Sequence, residues 1–177
     1  MSILKENVLA EVKTKTLINF LALAGTAAIL PFFIHAQLLT GPIINAIFVL
    51  ALFLVGIRSA LVICLIPSLM ALSGGLIPAI LAPVTPFIMI GNAIFILTID
   101  WFYNKAKEAN TGYWLGIIIG AALKFVFLFL SVSFITRLLI KQELAAKVAQ
   151  MMSWPQFATA VMGGMIAWAV LKWLKRF

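Results

Sequence analysis

Residues Tyr113 to Arg137 read YWLGIIIGAALKFVFLFLSVSFITR, and this stretch governs the interpretation of the rest of the chain. It is long and apolar enough to cross a bilayer, because about 20 mostly apolar residues suffice. A lysine, Lys124, nevertheless stands near its middle. A cation at that depth costs about 2.5–3.5 kcal/mol on insertion scales unless it meets a partner, a cavity or water. The stretch therefore predicts a spanning helix in which Lys124 either faces a polar group inside a bundle or extends its long stem to the membrane surface.

The composition indicates a membrane protein. Of the 177 residues, 64% are hydrophobic and 10% are charged, whereas soluble domains are about 45–50% apolar and about 25% charged. The apolar runs are long and no segment alternates strictly between apolar and polar residues, which favours helices over a β-barrel. We expect an all-α protein with one integral membrane domain over residues 1–177, multi-pass in the plasma (inner) membrane of a bacterial cell.

Six apolar runs predict a bundle of six transmembrane helices. The predicted spans cover residues 16–34, 43–55, 60–72, 87–103, 113–137 and 154–173. Residues 1–15 have apolar positions at helical spacing, which predicts an amphipathic segment on the cytoplasmic surface. Residues 73–86 are apolar but contain Gly74, Gly75, Pro78, Pro83 and Pro86. This many glycines and prolines disfavour a regular helix, and we expect a partly inserted loop on the outer side of the membrane.

The basic residues predict the orientation, because cytoplasmic loops carry an excess of lysine and arginine. With both termini inside, the cytoplasmic cations are Lys5, Lys13, Lys15, Arg58, Lys105, Lys107, Lys172, Lys175 and Arg176. Only Arg137, Lys141 and Lys147 then fall outside. The net charge of +8 is thus explained by topology, and no nucleic-acid partner is expected.

The sequence lacks the motifs that several kinds of catalytic and metal-binding site require. The chain has no GxxxxGK[ST] loop for ATP, no HExxH and no CxxC motif. One histidine and one cysteine make a zinc or iron–sulfur site improbable, so no metal or cofactor is expected. In the predicted topology His35 and Asp100 lie on opposite sides of the membrane, which argues against a Ser–His–Asp triad. We therefore expect no enzyme activity.

A set of polar side chains is predicted to converge in the outer half of the bundle. The candidate substrate-binding residues are His35, Gln37, Asn45, Asn92 and Lys124. A cation with amides and an imidazole suits a small ligand that bears an anionic group. Each residue also has a plainer explanation. His35 and Gln37 could be solvated loop residues, Asn45 could cap the second helix, and Asn92 could bond a neighbouring helix.

The first span offers a candidate surface for a partner helix. Ala24 and Ala28 stand four residues apart, and small residues at that spacing let another helix approach closely. Ordinary packing inside the same bundle would explain them equally well.

This layout resembles the substrate-binding S components of energy-coupling factor (ECF) transporters. The resemblance covers the whole chain in length and six-span plan. Locally it rests on the Ala24–Ala28 stretch, the turn at residues 56–60 and the central Lys124 of the fifth span. It implies a membrane subunit that captures a vitamin-like solute on the outer side. It also implies docking through Ala24 and Ala28 on a transmembrane coupling protein driven by separate ATPase subunits.

Two other classes of protein share the general plan. A non-transporting scaffold of the rod-shape-determining type would use its small faces for partner helices and bind no solute. A lipid-handling protein would use Lys124 to hold the headgroup of a membrane lipid.

Overall fold

The computed structural model describes residues 2–34, 36–74, 79–139 and 152–176. Regular structure in these residues is helical throughout. It comprises α1 (Ser2–Phe33), α2 (Gln37–Val55), α3 (Ile57–Ser73), a 3₁₀ helix (Ala79–Val84), α4 (Thr85–Lys105), α5 (Ala109–Leu139) and α6 (Trp154–Trp173). The expectation of an all-α protein is confirmed for this part of the chain.

Five helices in the described ranges are long and apolar enough to cross a membrane. Their apolar segments are Lys13–Phe33, Leu38–Val55, Ala82–Lys105, Ala109–Phe134 and Trp154–Trp173. The remaining apolar helix, α3, has 17 residues, or roughly 25 Å at helical rise. That length lies at the lower limit for a hydrocarbon core of about 30 Å. The structure therefore gives a bundle of apolar helices, while the sixth span and the N-in orientation stay predictions.

The first helix is longer than the first predicted span. α1 runs without interruption for 32 residues, so the amphipathic segment at residues 1–15 and the apolar span belong to one helix. No proline or glycine stands between them to end the helix, and the first proline of the chain is Pro31. α1 packs against α2 and α3 through Ala27, which is completely buried.

The second helix begins earlier than predicted. The predicted span begins at residue 43, whereas α2 starts at Gln37 and has Pro42 inside it. Pro42 is the sixth residue of α2, so its missing N–H removes one backbone hydrogen bond from the second turn of the helix. Thr40 supports this start, since its hydroxyl donates to the backbone carbonyls of Ile34 at 2.5 Å and Ala36 at 3.1 Å.

The turn between α2 and α3 consists of a single residue. Gly56 has φ 97° and ψ 165°, a conformation that is essentially restricted to glycine. Its N–H still donates to the Ala51 carbonyl at 3.1 Å, and its own carbonyl accepts from Ala60 at 3.0 Å. The predicted tight turn is therefore present, and Arg58 belongs to the first turn of α3.

The predicted outer loop is described in part. Residues 75–78 lie outside the described ranges. The 3₁₀ helix packs against α4 and α5, where Val84 and Val132 form a small buried cluster. α4 starts at Thr85, two residues earlier than expected, with Pro86 in its first turn. Proline is favoured there because its missing N–H would lack an intrahelical partner.

Two helix pairs approach closely through glycines. A methyl group at Gly116 of α5 would lie 2.8 Å from the Cα of Ile99 in α4, and one at Gly120 would lie 3.0 Å from the Phe95 carbonyl oxygen. A methyl group at Gly163 of α6 would lie 2.8 Å from the backbone nitrogen of Ala46 in α2. Each contact brings two backbones together, which is how helices associate when lipid surrounds them.

Candidate functional site

Lys124 points into the bundle. Its side chain is 2% exposed, and its Nζ donates a hydrogen bond of 2.8 Å to Oδ1 of Asn45. Two arrangements were predicted for this lysine. The structure shows the one in which it meets a polar partner, and the side chain does not extend to the membrane surface. The partner is 79 residues away in the chain, so only the folded bundle brings the two together.

The position of Lys124 follows from the glycine face of α5. Gly112, Gly116, Gly120 and Lys124 stand four residues apart and are all buried. Residues at this spacing lie one above another on a helix. The three glycines bring α4 close, and the lysine is the next member of the same row. Its Nζ lies 5.6 Å from the centre of the Phe95 ring of α4, within the range of a cation–π interaction.

Asn45 is held in a fixed orientation. Its Nδ2 donates to the Gly41 carbonyl in the preceding turn of α2 at 2.9 Å, which leaves Oδ1 to accept from Lys124. The backbone of α6 supports the same residue, because a methyl group at Gly163 would lie 2.5 Å from Cβ of Asn45. The capping role considered for Asn45 is wrong. Ala36 is the residue that precedes α2, and no side chain caps this helix.

Asn92 belongs to a different contact. Its Nδ2 donates to the Cys64 carbonyl at 3.3 Å, and the Cys64 thiol donates in return to the Asn92 carbonyl at 3.9 Å. These reciprocal bonds join α4 to α3, and both residues are buried. The plainer explanation, a bond to a neighbouring helix, therefore describes Asn92. Its amide does not bond to Lys124.

The remaining polar candidates are only partly located. His35 lies outside the described residues. Gln37 is the first residue of α2, and its side chain also lies outside the description. The structure thus brings together two of the five candidates, Lys124 and Asn45, and joins a third, Asn92, to Cys64.

The two alanines proposed for docking flank the inner face of α1. Ala24 and Ala28 are half-buried, and Ala27 between them is completely buried. Ala24 packs partly against the core of the bundle. Part of this small-residue face is therefore occupied by the protein itself, and the outward part remains accessible to a partner helix.

Sequence reasoning missed the glycines that position the Lys124–Asn45 pair. The row Gly112, Gly116 and Gly120 is a GxxxGxxxG pattern that is visible in the sequence, and its fourth position is Lys124. We had singled out only the small residues of the first span. Gly164 has a further partner, because the Tyr113 hydroxyl donates to its carbonyl at 2.6 Å.

The electrostatics around Lys124 are unbalanced within the described part of the chain. Its hydrogen-bond acceptor is the neutral amide of Asn45, and its other neighbours are the uncharged ring of Phe95 and the Cys64 thiol, which is close enough to interact with it electrostatically. The two carboxylates whose side chains are described lie elsewhere. Asp100 lines a cavity of about 360 Å³ at the Gly56 turn together with Tyr103 and Arg176. Glu108 is exposed and accepts a hydrogen bond from Thr111 at 3.0 Å.

A buried ammonium group with one neutral acceptor can still donate two hydrogen bonds, because the group has three N–H bonds. An anionic ligand would satisfy both that capacity and the charge. The described side chains include no group of three or more histidine, cysteine, aspartate or glutamate residues that could hold a metal ion.

The fold and the buried pair define a multi-pass helical membrane protein with an intramembrane lysine. Comparison of the chain with protein-family models, with curated proteins and with solved structures gave no match.

Proposed function

We propose that this protein is the solute-binding subunit of an ECF-type uptake transporter. In this proposal it captures a small, vitamin-like anionic solute on the outer side of the membrane at Lys124 and Asn45. It then docks through the outward part of the Ala24–Ala28 face on a transmembrane coupling protein, which separate ATPase subunits drive.

The observation that carries the proposal is the buried hydrogen bond between Lys124 and Asn45. An isolated charge inside a membrane is costly, and intramembrane ionisable residues usually mark a ligand or ion pathway. The described neighbours of Lys124 are one neutral acceptor, one aromatic ring and the thiol of Cys64, and none of them is a carboxylate. A carboxylate or phosphate from a ligand would supply the missing negative charge and the remaining acceptors.

Two further features support the proposal. The short 3₁₀ helix packs through its buried Val84 against Val132, in the part of α5 that follows Lys124 in the chain. This segment is suitably placed for a lid on a site within the bundle. α1 is the least enclosed span, with only 11% of its apolar window buried, and it therefore offers apolar surface to a partner inside the membrane.

Mass spectrometry of small molecules released from the gently purified protein tests the proposal. Wild type should release an anionic solute that is missing from Lys124→Met. Lys107→Met is the matched control, because it removes an exposed cation from the loop after α4. It should release the same solute as wild type.

The other classes of protein predict different results in the same experiment. A lipid-handling protein would release a phospholipid whose amount depends on Lys124. A scaffold would release no solute from any variant, and its partners would co-purify equally well with wild type and Lys124→Met. Either outcome would overturn the solute-binding proposal.

A further inference from the structure

The N-terminal half of α1 is less covered by the bundle than the part around Ala27. Ala27 is completely buried and Phe20 is half-buried, whereas Leu17 is 57% exposed and Lys13 is exposed.

A groove lies between α1 and the α2–α3 turn. It has a volume of about 400 Å³ and is lined by Lys13, Thr16, Leu17, Phe20, Val55 and Ser59. Lys13 and Phe20 stand seven residues apart, or roughly 10 Å along the helix. Leucine, phenylalanine and valine supply its walls, which are mainly apolar. Apolar walls of this kind suit an acyl chain in the membrane.

One end of the groove is basic. Lys13 is exposed and precedes the predicted apolar span at residues 16–34, so it lies where the hydrocarbon region gives way to headgroups. The exposed Arg58 is adjacent in sequence to the lining residue Ser59. A cation at one end of an apolar groove matches the phosphate and the acyl chain of a single phospholipid.

We propose that the groove is a specific site for an anionic phospholipid. One acyl chain lies against Leu17, Phe20 and Val55, and the headgroup lies beside Lys13. The bound lipid fills the space between α1 and the α2–α3 turn and so fixes the angle of α1. Because the site is separate from Lys124, this inference does not depend on the proposed transport function.

Native mass spectrometry of the full-length protein tests this site, with phosphatidylglycerol and phosphatidylcholine as the two probes. Wild type should retain phosphatidylglycerol in preference to phosphatidylcholine. Lys13→Gln should bind phosphatidylglycerol about fivefold more weakly, which corresponds to about 1 kcal/mol for one cation near an anionic lipid. Lys107→Gln should bind it as wild type does.

A second variant tests the groove independently of charge. Leu17→Trp keeps Lys13 but fills the space between α1 and Val55, and it should also release phosphatidylglycerol. Leu17 is largely exposed, so the larger ring does not enter the core. Equal retention of the two lipids by wild type would overturn the proposal. So would equal losses in Lys13→Gln and Lys107→Gln, or full retention of phosphatidylglycerol by Leu17→Trp.

Discussion

Gly163 of α6 lies directly against Asn45 of α2, so closely that a methyl group at Gly163 would come within 2.5 Å of Cβ of Asn45. The amide that accepts the hydrogen bond from Lys124 is therefore held in place by the backbone of a third helix. α2, α5 and α6 meet at this point, and a change at a glycine that bears no functional group should disturb the buried lysine.

Substitution of Gly163 by alanine should lower stability by about 1–3 kcal/mol, the usual cost of adding a methylene to a tightly packed core. Thermal unfolding of the purified protein in detergent measures this loss. Gly25→Ala is the matched control, because a methyl group at Gly25 meets nothing within 4 Å. That variant should be as stable as wild type or slightly more stable, since alanine favours helix over glycine. Equal unfolding temperatures for the two variants would contradict the close contact.

Removing Asn45 and removing Lys124 should have different effects on the stability of the protein. Asn45→Leu leaves the Lys124 ammonium group buried without its acceptor and should be strongly destabilising, by about 3–5 kcal/mol. Lys124→Met removes the costly cation and leaves only an amide oxygen unpaired, so its stability should be close to that of wild type. The double variant should recover much of the stability that Asn45→Leu loses. Additive effects in this double-mutant cycle would show that the two side chains do not interact.

Lys124→Met should also abolish binding of the solute if an anion occupies the site. Isothermal titration of the purified variant with the solute identified by mass spectrometry measures this loss directly. Retained affinity for an anionic ligand in a folded Lys124→Met protein would remove Lys124 from the site.

Gly56→Ala should destabilise the connection between α2 and α3 by about 1–3 kcal/mol, because a residue with a Cβ is strained at φ 97°. Nothing lies within 4 Å of a methyl group at Gly56, so the effect would arise from backbone strain and not from a clash. Thermal unfolding should show a clear loss for Gly56→Ala and none for Gly25→Ala. An unchanged unfolding temperature would mean that alanine is accommodated by a different turn.

Leucine at Ala24 or Ala28 should weaken assembly with a partner while the bundle stays folded, because both positions are half-buried at the edge of the inner face of α1. Co-purification of partner proteins from native membranes measures assembly. Ala27→Leu is the contrasting variant. Because Ala27 is completely buried, a larger side chain there should destabilise the bundle itself. Unchanged co-purification with folded Ala24→Leu and Ala28→Leu would refute the docking surface.

The predicted orientation can be tested with introduced cysteines. The single native cysteine, Cys64, is buried and so gives little background labelling. Cysteines at Lys107 and Lys175 should react with a membrane-impermeant reagent only after the cell is opened, whereas one at Leu38 should react in intact cells. Labelling of Lys107→Cys in intact cells would reverse the predicted topology.

The sequence was most informative about the spans. Each apolar run of sufficient length is a helix, because hydrocarbon leaves the backbone no other way to satisfy its hydrogen bonds. Helix ends were less predictable. The predicted span began after Pro42, yet α2 starts at Gln37 and continues through Pro42, because a helix can include a proline at the cost of one backbone hydrogen bond.

The candidate site was only half predictable. Lys124 could be singled out from the sequence, because a cation in an apolar span is costly wherever the span lies. Asn45 and Asn92 looked equivalent, since each is an amide in an apolar helix. The glycine contacts decide between them. The GxxxGxxxG face of α5 brings α4 close, and Gly163 pins Asn45 beside the lysine, whereas Asn92 bonds to the backbone of α3.

The sequence by itself determined that this chain forms apolar helices and that one of them carries a lysine near its middle, where a charge is costly. Only the tertiary structure decided which side chain meets that lysine. The length of an apolar run is a local property of the chain, so the sequence alone reveals it. The partner of a buried charge, by contrast, depends on how closely distant helices approach, and here glycines on α5 and α6 set that distance.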